Sequence, residues 1–84
     1  MDITKEIIEI AKSVGADMSD CNNQTDLFGE GIIDSLQIAQ MITEIEKRYN
    51  FVFSIDDINP DVFLNVDSIS AFVLEKANSW KGNS

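Results

Sequence analysis

The feature that most constrains this chain is a recurrence of apolar residues at helical spacing in three separate segments. The clearest is residues 35–50, where one stripe contains Ile38, Met41, Ile42, Ile45 and Tyr49. Side chains three and four positions apart share one face of a helix, so this segment is predicted to form an amphipathic helix with one buried side. Asp34 is placed to cap its start, and Asn50 is placed to end it.

Two further segments show the same period near the two ends of the chain. Residues 3–14 are predicted to form a first helix, capped by Asp2 and followed by Gly15 in a left-handed conformation. Residues 66–79 are predicted to form a last helix, capped by Asn65. The predicted inner faces consist of Ile3, Ile7, Ile10, Ala11 and Val14 in the first helix, and of Ile69, Phe72, Val73, Ala77 and Trp80 in the last.

The connections between these helices are irregular. Residues 16–33 are polar, and a loop this long needs apolar side chains that hold it against the core. The candidates are Leu27, Phe28, Ile32 and Ile33. No strand is expected in residues 51–64, because no other segment offers a strand partner. We predict an apolar loop there, a short helix at 54–58 and a turn at 61–64 after Pro60.

Together these elements predict an all-α fold. It is a small four-helix bundle of three main helices and one short helix, with a long first loop. A chain of 84 residues has room for one modest core. We therefore predict a single domain over residues 1–84, with its core at about 3–80 and a polar tail at 81–84.

The charge of the chain limits its partners. It carries 15 acidic and 6 basic residues, for a formal net charge of -9. Nucleic acids and anionic membranes repel such a surface, so neither is an expected partner. No apolar run approaches the roughly 18 residues that span a bilayer, and the N-terminus lacks a signal pattern. The expected protein is a cytoplasmic monomer without stable membrane insertion.

The residue types that build most catalytic and metal sites are scarce. The chain has no histidine, which removes the commonest general base and the commonest transition-metal ligand. Cys21 is its only cysteine, so no internal disulfide can form. A calcium loop starting at Asp20 would need glycine where Thr25 stands and glutamate where Gly31 stands. No catalytic residue and no metal site are predicted.

Ser35 is the candidate for chemistry. It is predicted to be the first residue of the second helix, where a phosphate on its oxygen would meet free N–H groups and the positive end of the helix dipole. Leu36 falls opposite the buried stripe and is therefore predicted to be exposed beside it. An Asp-Ser pair at a helix start is also ordinary capping chemistry, so the pair alone leaves both interpretations open.

The flanking sequence resembles a known family. Asp34-Ser35-Leu36, with Gly29 and Gly31 just before it and an amphipathic helix after it, resembles the attachment motif of acyl and peptidyl carrier proteins. Residues 65–73 are similar to the last helix of that family, and residues 57–63 resemble the linker of stand-alone bacterial carriers. The likeness spans about residues 3–80.

The resemblance implies a function. In the family, 4'-phosphopantetheine from coenzyme A is attached to the serine that corresponds to Ser35, so Ser35, Asp34 and Leu36 are the expected cofactor site. The protein would then be a phosphoprotein that holds acyl or aminoacyl cargo as a thioester and catalyses nothing itself. Implied partners are a phosphopantetheinyl transferase, a loading ligase, and downstream transferases or synthases.

The motif also indicates a branch of the family. Gly31 lies four residues before Ser35, a spacing more like D-alanyl carriers and stand-alone carriers of secondary pathways than fatty-acid carriers. The exposed positions of the second helix include Gln40 and Lys47, where glutamates are common in fatty-acid carriers. The cargo and the pathway, whether fatty acid or secondary metabolite biosynthesis, stay open.

Two further surfaces are predicted. The candidate docking face for partner enzymes consists of Leu36, Ala39, Gln40, Thr43, Glu46 and Lys47. The candidate cleft for an acyl chain consists of Phe53, Ile58 and Phe63. These last three residues could equally fill the core.

Two other functions fit the same chain. One is an acidic helical protein–protein interaction module whose Ser35 is never modified. The other is a small hydrolase or transferase with Ser35 as nucleophile. The lack of histidine, and of any lysine between Ser35 and Lys47, argues against the second.

Overall fold

The computed structural model describes residues 2–82, and the side chains of residues 2–77. It contains three α-helices, α1 (Ile3–Ser13), α2 (Ser35–Tyr49) and α3 (Val66–Gly82), with a 3-10 helix at Ile55–Asp57 between α2 and α3. Nowhere in residues 2–82 does the backbone form a strand. This confirms the predicted all-α fold of three main helices, one short helix and a long first loop.

The first helix forms as its sequence predicts. The Asp2 carboxylate accepts the backbone N–H of Thr4 at 3.1 Å and thereby caps α1. Ile7, Ile10 and Ala11 are buried, while Ile3 and Val14 at the two ends of the stripe are partly buried. Gly15 has φ +94°, the left-handed conformation predicted for the position after the helix.

The last helix starts as predicted and continues past its predicted end. The side-chain oxygen of Asn65 accepts the N–H of Ser68 at 2.7 Å, which confirms the cap. Val66, Ile69 and Val73 are fully buried, and Phe72 is partly buried. Gly82 is the first glycine in α3 and the helix contains no proline, so neither of the two residue types that most disfavour a helix occurs near residue 79. Residues 81 and 82, which belong to the predicted tail, are thus helical. Residues 83 and 84 lie outside the described residues, as does the side chain of Trp80.

The long first loop is held by a different set of residues from the predicted one. Leu27 and Ile33 are buried and Ile32 is partly buried, as expected, but Phe28 is mostly exposed. The N–H groups of Ile32 and Ile33 both donate to the Leu27 carbonyl, at 2.9 and 3.2 Å. This closes a turn that directs Phe28 outward. Two residues without a sequence prediction, Ala16 and Met18, are buried in its place.

The same loop is joined to the segment that leads into α3. The N–H of Leu27 donates to the carbonyl of Leu64 at 2.9 Å, and the N–H of Asp67 donates to the carbonyl of Asn23 at 3.0 Å. The end of the first loop, the start of α2 and the residues before α3 therefore meet at one end of the molecule. No helix in the described part of the chain combines the length and the apolar character that crossing a bilayer requires.

Candidate functional site

Ser35 is the first residue of α2, as its sequence context predicts. The residue is exposed, and no group in the described part of the chain is hydrogen-bonded to its hydroxyl. A serine hydroxyl in this position is open to solvent and close to the free N–H groups of the first helical turn. The geometry therefore allows a group on the Ser35 oxygen to extend into water.

A reciprocal pair of hydrogen bonds holds the start of α2 in place. The Asp34 carboxylate accepts the N–H of Gln37 at 2.9 Å, and the Gln37 side-chain oxygen accepts the N–H of Asp34 at 2.9 Å. This is a capping box, and its signal was present in the spacing Asp-x-x-Gln. The Gln37 amide also donates to the carbonyl of Val14 at 3.2 Å, which ties the site to the end of α1.

The chain contains a second tripeptide of the same type, Asp67-Ser68-Ile69, in the first turn of α3. There the Ser68 oxygen lies 2.8 Å from the Val62 carbonyl and accepts the N–H of Asn65 at 3.0 Å. Ile69 is fully buried, whereas Leu36 is exposed. Of these two Asp-Ser pairs, only the one at Ser35 offers a free hydroxyl.

Most of the predicted docking residues share one exposed face of α2. Leu36, Ala39, Gln40, Thr43 and Lys47 are exposed. The Thr43 hydroxyl donates to the Ala39 carbonyl at 3.2 Å, and Lys47 lies 3.8 Å from Glu44 at the surface. This agrees with the assignment of the two faces of α2, of which Met41 and Ile45 are fully buried.

Glu46 differs from the other predicted docking residues. It is only partly exposed, and its carboxylate accepts the backbone N–H of Phe53 at 2.8 Å. A charge-assisted bond of this kind holds the chain after α2 against the helix. Glu46 therefore stabilises the loop at 50–54, which the sequence pattern did not indicate.

A cleft of about 540 Å³ opens beside Ser35. Its wall is mostly apolar and is formed by α2, the end of the first loop and the segment before α3. Residues that line it are Asp26, Phe28, Gly29, Ser35, Ile38, Ala39, Ile42, Ile58, Asn59, Pro60, Phe63 and Leu64. Ile38 and Ile42, which belong to the predicted buried stripe, are only partly buried because they form part of this wall.

One of the three predicted cleft residues is misplaced. Ile58 and Phe63 line the cleft, but Phe53 does not. Phe53 is buried among other aromatic rings, with centroid distances of 5.1 Å to Phe51, 5.3 Å to Phe72 and 5.8 Å to Phe63. Aromatic packing of this kind buries a large apolar area, so Phe53 belongs to the core.

Electrostatics around the remaining groups do not indicate a second reactive site. Burial raises the pKa of the Cys21 thiol, and the nearby carboxylates of Asp17, Asp20 and Glu30 raise it further. The thiol is therefore a poor nucleophile at neutral pH. Within residues 2–82, no group of three potential ligands among cysteine, aspartate and glutamate is placed to hold a metal ion.

The geometry limits what the site can do by itself. Among the residues that the structure describes, Asp26 is the only charged one in the cleft wall, and one of its carboxylate oxygens accepts the N–H of Gly29 at 2.8 Å. Because the chain has no histidine, no imidazole can activate the Ser35 hydroxyl as a nucleophile. The site therefore consists of an exposed serine hydroxyl next to a cleft with mostly apolar walls.

Comparison with protein families gives an independent result. Residues 5–74 match the family described as "Phosphopantetheine attachment site". This stretch includes most of α1, all of α2, the cleft and the first part of α3. Ser35 and its capping residues lie within it.

Individual relatives are similar along most of the chain. A D-alanyl carrier protein of Lactobacillus delbrueckii subsp. bulgaricus is 34% identical over 62 residues, which is 73% of this chain and 76% of the relative. A D-alanyl carrier protein of Streptococcus sanguinis is 31% identical over 80 residues, which covers 94% of this chain and all of the relative.

Proposed function

Because the chain belongs to the family of carrier proteins with a phosphopantetheine attachment site, we propose that Ser35 is the residue to which this group is attached. The observation that supports this most directly is the free, exposed hydroxyl at the first residue of α2. The competing Ser68 hydroxyl is hydrogen-bonded to the neighbouring backbone.

Members of this family are carriers and catalyse no reaction. The chain holds acyl or aminoacyl cargo on covalently bound 4'-phosphopantetheine and presents it to transferases and ligases. The bound group supplies a terminal thiol on which the cargo is held as a thioester. The family match therefore does not favour the alternative of an unmodified interaction module.

The residues around Ser35 fit this group. The Ser35 oxygen can form a phosphoester bond without displacing a hydrogen bond of the fold. The resulting phosphate would lie near the positive end of the α2 dipole, an interaction worth roughly 0.3–1 kcal/mol at an exposed position. The capping pair of Asp34 and Gln37 holds the serine at the end of a rigid element.

The attachment is tested by mass spectrometry of the protein after incubation with coenzyme A and a broad-specificity phosphopantetheinyl transferase. The wild type should gain the mass of one phosphopantetheinyl group, and Ser35→Ala should gain none. The matched control is Ser68→Ala, which alters the other Asp-Ser pair and should still be loaded. Loading of Ser35→Ala, or no loading of wild type while a known carrier is modified, would refute the proposal.

For the cargo, we propose a small aminoacyl group of the D-alanyl type. Support comes from the named relatives, one of which covers 94% of this chain. The spacing of Gly31 and Ser35 agrees with this class. The expected partners are a phosphopantetheinyl transferase and an adenylating ligase that loads the amino acid. The cytoplasm, where coenzyme A and ATP are available, is the proposed location.

The cleft supports a second candidate cargo. Its volume of about 540 Å³ and its walls of Ile58, Phe63 and Ile42 would accommodate an apolar acyl chain or part of the arm. A D-alanyl group is too small to need such a space. The intact mass of the protein from its native host distinguishes the two candidates, because the mass beyond the holo form identifies the cargo directly.

We also propose that partner enzymes dock on the exposed face of α2. Its residues are Leu36, Ala39, Gln40, Thr43 and Lys47. Glu46 contributes by holding the loop after α2 and has little free surface to offer a partner. Carrier encounters are transient, so a small interface is sufficient.

A further inference from the structure

The cleft beside Ser35 has the composition of a small-molecule site. Its volume of about 540 Å³ is typical of ligand pockets, and its wall is mostly apolar with a few polar side chains. In pockets of this kind the apolar wall provides most of the contact area, and the few polar groups fix the orientation of the ligand. The polar side chains of this cleft therefore indicate which ligand it fits.

The polar side chains in the described part of the cleft wall are those of Asp26, Ser35 and Asn59. The Asn59 amide donates to the Asp56 carbonyl at 2.8 Å, and its oxygen accepts the N–H of Val62 at 3.0 Å. The Ser35 oxygen is the proposed attachment point of the arm. Asp26 is therefore the side chain that can still bind a ligand, and it is the charged one.

The Asp26 carboxylate has one bonded and one unbonded oxygen. Oδ1 accepts the N–H of Gly29 at 2.8 Å, and this bond orients the carboxylate. No group in the described part of the chain is hydrogen-bonded to Oδ2. The ion pairs in that part of the chain involve Glu44 and Asp57, so no described lysine or arginine neutralises Asp26.

Gly29 leaves the space that this carboxylate occupies. A Cβ atom at position 29 would overlap the Asp26 carboxylate, so a larger residue there would force the Asp26 side chain to move. Unlike Gly15 and Gly31, Gly29 does not have a positive φ. The absence of a side chain at position 29 therefore matters for the contact with Asp26 and not for the backbone conformation.

We propose that the Asp26 carboxylate binds the α-ammonium group of an aminoacyl cargo when the arm folds back into the cleft. The inference rests on the proposed attachment at Ser35, and it adds to the proposed aminoacyl cargo the residue that recognises it. An α-ammonium group is a cationic hydrogen-bond donor, and a carboxylate oxygen without a partner is a suitable acceptor for it. The same negative charge disfavours a cargo that ends in a carboxylate, because like charges repel each other.

The covalent arm makes a weak contact sufficient. Because Ser35 lines the same cleft as Asp26, a flexible arm keeps its cargo near the carboxylate at an effective concentration of roughly mM. The apolar parts of the arm can lie against the walls formed by Ile42, Ile58 and Phe63. Asp26 is exposed, and ion pairs between exposed groups are weak, so the contact is transient and leaves the cargo available to a partner enzyme.

The test uses the full-length protein, loaded at Ser35 by a phosphopantetheinyl transferase with two analogues of coenzyme A. One analogue carries a D-alanyl group and the other a propionyl group, each joined through a stable amide in place of the thioester and labelled with carbon-13 in its methyl group. The two cargoes have the same carbon skeleton, and only the alanyl group has an ammonium. NMR measures the pKa of that ammonium from the methyl shift as a function of pH.

A nearby carboxylate favours the charged form of the ammonium, so its pKa should be higher on the wild type than on Asp26→Asn by about 0.3 or more. Gly29→Ala keeps the charge of Asp26 but displaces the carboxylate, and it should also lower the pKa of the ammonium. Circular dichroism should show native helix content in both variants, because Asp26 and Gly29 are exposed.

Glu30→Gln is the matched control, because it removes the charge of an exposed acid that does not line the cleft. At about 0.15 M salt the Debye length is about 8 Å, so this variant should change the pKa of the ammonium by less than about 0.1. Equal pKa values on the wild type and on Asp26→Asn, or an equal decrease on Glu30→Gln, would overturn the inference.

The backbone amide of Gly29 provides a second readout, because its N–H is bonded to the Asp26 carboxylate. At a pH below the pKa of the ammonium, the Gly29 amide resonance should differ between the alanyl-loaded and the propionyl-loaded wild type. The difference should disappear in Asp26→Asn. Identical Gly29 resonances in the two loaded forms of the wild type contradict the proposed contact.

The inference and the proposed function fail in different ways. Mass spectrometry of the same samples shows whether one arm is attached, and Ser35→Ala shows whether it is attached at Ser35. A wild type that is loaded at Ser35 with both analogues, but shows no difference that depends on Asp26, keeps its attachment site and lacks only the ammonium site.

Discussion

At the scale of single residues, two side chains of the same type differ in their burial and in their contacts. Ser35 and Ser68 both follow an aspartate and precede an aliphatic residue, yet only Ser68 is hydrogen-bonded to the preceding loop. Phe53 and Phe63 are also similar in sequence context, but only Phe63 reaches the cleft. A residue type at a given spacing therefore suggests a role, and its contacts decide whether it performs that role.

The placement of Phe53 in the core leads to a stability prediction. Phe53→Ala should lower the free energy of unfolding by about 3–5 kcal/mol, because it leaves a cavity among packed aromatic rings. Ile58→Ala, at the cleft wall, should cost only about 1 kcal/mol, because nearly half of that side chain is already in water. Urea denaturation monitored by circular dichroism measures both. Equal losses would mean that the core and cleft assignments are wrong.

At the scale of elements, α2 is the part of the fold that presents the site. Its start is held by the capping box, and its left-handed end is Asn50, with φ 59°. The Gln37 amide links its first turn to α1 through the carbonyl of Val14. Ser35 therefore lies at a helix end that is held by the capping box and by the contact with α1. These contacts restrict the position of the serine oxygen to which a group can be attached.

Two substitutions distinguish the contribution of Asp34 as a helix cap from the contribution of its negative charge. Asp34→Ala should lower the free energy of unfolding by about 1 kcal/mol, because the N–H of Gln37 loses its acceptor. Asp34→Asn should retain most of the stability, since asparagine caps helices about as well as aspartate. Chemical denaturation gives both values. If the asparagine variant loses as much stability as the alanine variant, the cap is not what Asp34 contributes to the fold.

At the scale of the whole molecule, α1 packs against both of the other helices. One polar contact joins α1 to the far end of α2, where the Tyr49 hydroxyl donates to the Glu6 carboxylate at 2.6 Å. Burial raises the pKa of Tyr49 above its usual value, and the bond to Glu6 raises it further. This contact closes the bundle at the end opposite Ser35.

The Tyr49 contact predicts a dependence on alkaline pH. At neutral pH, Tyr49→Phe should lower the free energy of unfolding by about 0.5–1.5 kcal/mol through the lost hydrogen bond. The pKa of Tyr49 is higher in the folded than in the unfolded chain, so its contribution is complete below about pH 10 and declines above it. Urea denaturation between neutral pH and about pH 11 tests this. A wild-type advantage that stays constant or grows above pH 10 contradicts the assignment.

The sequence by itself determined the local features of this protein. The three helices, the caps at Asp2, Asp34 and Asn65, the left-handed Gly15 and the exposed Leu36 were all predictable. Each depends on contacts within about one helical turn, or on the period of apolar residues along one helix. For that reason the position of Ser35 at a helix start could also be derived before any tertiary contact was known.

Only the tertiary structure decided which of these local features are accessible. The outward turn of Phe28, the burial of Phe53 and the cleft beside Ser35 arise where the first loop meets the segment before α3. The bonds of Gln37 to Val14 and of Tyr49 to Glu6 join residues 23 and 43 positions apart. Such contacts depend on how the helices pack, and neither residue spacing nor periodicity along one segment carries that information.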